Sequence, residues 1–165
     1  MLNIAAFTFN YDQLEDRILL VGNLSNGQQR IDFWLTRKLV LRLLDAVQGL
    51  LEKTVTEIAD APVQQKMHMA QFHHEDAQQA LQVQRESTQV MAESALLLSR
   101  LDISHHDGQY KLLFFSGGDE PVAASVLSYQ ELHQIFHLLH RGAVGLDWGV
   151  AAELFQSSNQ PQTLQ

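Results

Sequence analysis

Histidine is the residue type whose spacing most suggests chemistry in this chain. His133, His137 and His140 recur at helical intervals, and on one helix they fall within an arc of about 60°. Imidazoles four residues apart face each other, so the stripe can present two ring nitrogens to a Zn²⁺ or Ni²⁺ ion. No Glu follows His133 to complete the metalloprotease pattern, and no third ligand type stands close by. The stripe also borders an apolar helical face, where histidines commonly close a core. Met67, His68, Met69, His73 and His74 form a second group. Thioether and imidazole together suit copper, yet this stretch is polar throughout and its composition alone accounts for them. His105 and His106 fall in a turn and are expected to be solvated.

Other reaction signatures are weaker. The chain has no cysteine, which excludes thiolate nucleophiles, disulfides and Cys-ligated zinc. Ser116-Gly117-Gly118 follows a strand but leads into another strand, so it is neither a nucleophile elbow nor a phosphate loop. Gly142, Gly145 and Gly149 follow a helix and do not match the dinucleotide fingerprint. Asp45, Asp102 and Asp119 are scattered. An enzymatic role therefore has no motif to stand on, and no resident cofactor is expected.

Arg30, Arg37, Lys38 and Arg42 are the nearest approach to a basic cluster in a chain of formal charge −8. That charge repels phosphate backbones, and four cations are too few to reverse it, so nucleic acid is not an expected partner. Arg37 and Lys38 sit where a helix begins, a position that the helix dipole disfavours for cations. A bound anion, an acidic partner or a carboxylate of the same chain would compensate. The last is the usual arrangement.

The elements that must position these residues read clearly. Phe7, Phe9 and Tyr11 alternate with polar neighbours, as on a half-buried strand. Arg17 to Val21 and Arg30 to Leu35 make two further strands, joined through the Asn26-Gly27 turn. Thr36 then caps an amphipathic helix over Arg37 to Lys53. The plan recurs later. Ala95 to Ser104, Tyr110 to Phe115 and Val122 to Leu127 read as strands. Ser128 with Glu131 forms a capping box for a second helix whose buried face is Leu132, Ile135, Phe136 and Leu139.

The expected fold is α+β: two βββα halves, residues 1–55 and 92–155, packed as a sandwich or as one joined sheet. Residues 56–91 form a polar, partly helical connection, rich in Gln, His and Met, and 156–165 a disordered tail, around a single domain spanning 1–155. No basic leader precedes an apolar run at the N-terminus, and no apolar run is long enough to cross a bilayer, so a cytoplasmic location without a membrane partner is expected.

Ile18 to Val21 and Leu112 to Phe115 are apolar at consecutive positions, which demands cover on both sheet faces. Trp34, near Arg30 on the nominally polar side of its strand, and Trp148 with Phe155 beyond the second helix are candidate interface anchors. These features point to a homodimer, and to a non-enzymatic protein-interaction or assembly module that takes a protein partner. A regulatory protein binding a metal or small ligand through the histidine stripe is the alternative.

Overall fold

The computed structural model describes residues 1–25, 29–58 and 94–153, the side chains of 54–58 excepted. Three strands, β1 (Leu2–Asp12), β2 (Arg17–Leu24) and β3 (Arg30–Thr36), lead into helix α1 (Arg37–Ile58). Four more follow: β4 (Leu96–Leu97), β5 (Arg100–His106), β6 (Gln109–Phe115) and β7 (Ala123–Leu127). Helix α2 (Tyr129–Gly145) ends the series. The fold is mixed α+β. Among the described residues no helix is long and apolar enough to cross a membrane.

All seven strands join one sheet in the order β4-β3-β2-β1-β7-β6-β5. Antiparallel pairing links β1 to β2 to β3, and β5 to β6 to β7. Two short parallel seams complete it. Leu2 and Asn3 of β1 lie beside Ala123 and Ala124 of β7, and Leu96 and Leu97 of β4 lie beside Phe33 and Trp34 of β3. Only Leu98 and Ser99 separate β4 from β5, yet these strands stand at opposite ends of the order. The sheet therefore curls back on itself.

The expected strand at Ala95 to Ser104 is thus two strands. Leu98 N–H donates to Trp34 O at 2.9 Å and Ser99 N–H to Phe115 O at 2.9 Å, so the chain changes neighbour between those residues. The first strand begins at Leu2, earlier than the alternation from Phe7 suggests, because its start is held by β7. A register irregularity between Ile4 and Ala6 marks the crossing there, and buried Ser125 Oγ donates to Ile4 O at 2.7 Å beside it.

Phenylalanines fill the concave side. Phe33 stacks on Phe114 with ring centroids 5.4 Å apart, and Phe7 adds to Phe114 at 6.0 Å. Ile18, Leu20, Tyr110 and Leu112 point the same way and join one core cluster. Both helices close it, α1 with Val40, Leu43, Leu44, Val47 and Leu51, and α2 with Leu132, Ile135, Phe136, Leu139 and Ala143. Leu39 N–H donates to Thr36 Oγ1 at 3.3 Å, and the Ser128–Glu131 box is complete. Helix α1 continues three residues past the expected limit of the first half. The Asn26-Gly27 turn, the tail and most of the expected connection lie outside the described residues.

The demand for cover from two directions is met within the single chain. On the convex side Leu19 is 6% exposed, Val21 7% and Phe115 4%. Long neighbours fold over them: the Arg17 guanidinium lies 3.5 Å from the Trp34 ring centroid, and that of Arg100 3.8 Å from the Phe115 ring. An arginine stem covers aliphatic surface while its charged head stays near water. Consecutive apolar residues in β2 and β6 therefore do not by themselves require a second subunit.

Candidate functional site

Helix α2 carries all three stripe histidines, but it turns them to different surroundings. His133 is fully buried with its ring edge-on to Tyr129 at 4.4 Å. His140 is 5% exposed, and its Nε2 lies 2.7 Å from Ala151 O. A carbonyl oxygen only accepts, so that nitrogen carries the proton and its lone pair is not offered to a metal. Burial, then Arg141 and His140 nearby, hold His137 below the usual histidine range. Among the described residues, no group of three or more His, Asp or Glu is placed to hold a metal ion. Met67, His68, Met69, His73 and His74 lie outside the described residues.

The tyrosines beside this helix are less enclosed: Tyr11 is 38% exposed and Tyr129 is half-buried. Tyr11 Oη donates to Leu138 O at 2.6 Å, and burial raises its pKa despite the opposing charge of Arg141. Tyr129 is raised further, by burial first and then by Tyr110. Neither hydroxyl is prepared to ionise near neutral pH.

Trp148 is a correction. Expected at a surface, it is 3% exposed and belongs to the core, with its indole N–H donating to Asp16 Oδ1 at 2.6 Å. The chain leaves α2 through Asp147 in a left-handed conformation, φ 59°, which folds the ring back under the first hairpin. Phe155 lies outside the described residues. Arg37 meets the expectation of a carboxylate from its own chain: its guanidinium is 3.9 Å from Asp16 Oδ2. Both groups are half exposed, so the pair contributes little.

Trp34 and Arg30 do share the convex face. Register places Leu97, Trp34, Leu19 and Asn10 in one row across β4, β3, β2 and β1. On one side of the row lie Thr36, Arg17 and Asp12, and on the other Asp32, Val21 and Thr8. Arg30 pairs with Asp32 Oδ2 rather than reaching Trp34. The residue that stacks on Trp34 is Arg17, which the sequence reading did not single out. Its place beside the indole depends on the β2–β3 register, which residue types alone do not specify.

Next to this row is an open depression of about 390 Å³ lined by Asn10, Tyr11, Asp12, Gln13, Leu19 and Trp34. Asp12 Oδ1 already accepts the Leu14 and Glu15 N–H groups, both at 3.0 Å, so its main task is to hold the hairpin turn. Farther along the row Leu97 is 55% exposed. The surface offers an indole–guanidinium stack, aliphatic contact and amide hydrogen bonding.

Charge on this face is nearly balanced. Convex positions carry Arg17, Arg30, Arg100 and Lys111 against Asp12, Asp32 and Asp102. The face is close to neutral in a chain of formal charge −8. Comparison with protein-family models, curated proteins and solved structures finds no match for this chain.

Proposed function

We propose that the chain is a non-enzymatic assembly module, built from two βββα halves, that acts as a homodimer through the convex face of its sheet. The exposed apolar residues on that nearly balanced face carry the reading. Two copies of formal charge −8 repel each other at long range. On the convex face cations and carboxylates nearly cancel, and the face also presents Trp34, Leu97 and Val126, the last 53% exposed. Apolar residues within a balanced polar surround are the composition of an association surface.

The two-half reading draws support from one constant spacing. It takes Thr36 to Ser128, and Val40, Leu43, Leu44, Val47 and Leu51 to Leu132, Ile135, Phe136, Leu139 and Ala143, the buried face of each helix. The same spacing takes Ile18 and Leu20 to Tyr110 and Leu112, which are also buried. Each half lends the start of its first strand to the third strand of the other, β1 to β7 and β4 to β3. Such an exchange makes a rigid body able to present one face.

Sedimentation velocity of the full chain over a micromolar concentration series tests the function. A dimer that dissociates on dilution is expected, and a monomer at every concentration would overturn the proposal.

A further inference from the structure

We infer that the dimer is isologous, with its twofold axis passing between Leu19 and Trp34, tilted by about 20° from the Leu97–Trp34–Leu19–Asn10 row, and with Arg17 of each copy set against Asp32 of the other. This inference rests on the homodimer reading and goes further by assigning its face, its symmetry and its ionic contact.

The layout of β2 and β3 is self-complementary about that axis. Leu19 and Trp34 are directly paired. Arg17 lies two residues from Leu19 along β2, and Asp32 lies two residues from Trp34 along β3, on opposite sides of the row. A half-turn about the row itself would set Arg17 over Val21 and Asp32 over Thr36 of the second copy. With strands about 4.8 Å apart and a rise of about 3.4 Å per residue, a half-turn about an axis between Leu19 and Trp34, tilted by about 20° from the row, exchanges β2 with β3 as well as the two sides. It brings Arg17 over Asp32 of the second copy, and Asp32 over its Arg17. In a twofold interface each contact occurs twice, so one favourable pairing is doubled. That tilt crosses the facing strands at about 40°, near the roughly 30° that aligned sheets keep.

The local chemistry fits. Asp32 is neutralised on one side only: Oδ2 takes Arg30, while Oδ1 is buried with no hydrogen-bond partner. Arg17 pairs with Glu15 and stacks on Trp34, and its Nε has no partner either. Both of those atoms are enclosed within the chain, so the second copy meets the exposed parts of the two groups, 31% of the Arg17 side chain and 10% of that of Asp32, where an opposite charge gains as water is withdrawn. Leu97 and Trp34 lie close to the axis and face their own counterparts.

The test is a charge exchange in full-length protein. Arg17→Asp places two carboxylates at each contact of a homodimer, and Asp32→Arg places two guanidinium groups there. Each variant alone is expected to sediment as a monomer, with at least a tenfold loss of affinity. Mixed in equal amounts, the two are complementary at both contacts, and the dimer returns. Circular dichroism checks that each is folded, and Leu97→Glu, a change at an exposed position, gives a second route to the monomer. If the parent chain is a monomer, the homodimer reading itself fails. If the parent is a dimer and all three variants remain dimeric, dimerisation stands and this face is wrong. Monomeric variants that do not recombine on mixing would overturn the Arg17–Asp32 contact.

Discussion

The indole N–H of Trp148 donates to Asp16 Oδ1 at 2.6 Å, joining the segment after α2 to the turn between β1 and β2. Nothing local relates these residues; the contact forms because α2 packs across the first hairpin. Trp148 therefore serves the fold. Trp148→Ala is expected to destabilise the chain by about 3–5 kcal/mol, the usual cost of emptying a buried aromatic site. Urea denaturation measures it, and a loss below about 1 kcal/mol, nearer the scale of a surface change, would contradict the assignment.

Gly142 is fixed by the same packing. A Cβ built there would fall within the Tyr11 ring, which cannot swing aside freely while its hydroxyl holds Leu138 O. Gly142→Ala should cost about 1–3 kcal/mol through overpacking, although alanine is the better helix former. A rise in melting temperature would show that the ring yields.

The helix caps differ in completeness. Ser128 and Glu131 satisfy each other's backbone amides, at 2.8 and 3.2 Å, whereas Thr36 makes one longer bond. Ser128→Ala is expected to cost about 1 kcal/mol and Thr36→Ala less. Chemical denaturation of the two variants gives the ranking, and the reverse order would be inconsistent with the observed bonds.

Acid sensitivity should follow His137. Its folded pKa is lowered, so the unfolded chain takes up that proton first as pH falls. The stability is present above the unfolded value of about 6.5 and is lost as pH drops from there through the lower folded value. His137→Gln should then lose less stability than the parent between about pH 7.5 and about pH 5.5. Equal losses would show that other groups set the response.

Local elements were legible because local rules make them. Period-two alternation placed the strands, Thr36 and Ser128 marked the helix starts, and a 3.6-residue stripe named the faces that both helices bury. The seams were not legible. Whether Leu96 and Leu97 pair with Phe33 and Trp34 depends on contacts far apart in the chain, and a two-residue strand carries no alternation to detect. Consecutive apolar residues in β2 were read correctly as two-sided burial, but the cover on the convex side comes from Arg17 and Trp34. The stem of a charged residue hides apolar surface that its sequence letter does not advertise. For the same reason, Arg17 was missed at the candidate site.

Because the chain has no cysteine, one introduced thiol can cross-link only between copies. Leu97→Cys places it close to the proposed twofold axis, and Leu14→Cys, at a 95% exposed turn position away from the row, serves as the control. Under mild oxidation or with a short thiol cross-linker, the Leu97→Cys chain should run as a covalent dimer and the Leu14→Cys chain should remain largely monomeric. Equal cross-linking of both, or none at Leu97→Cys, would contradict self-association through the convex face.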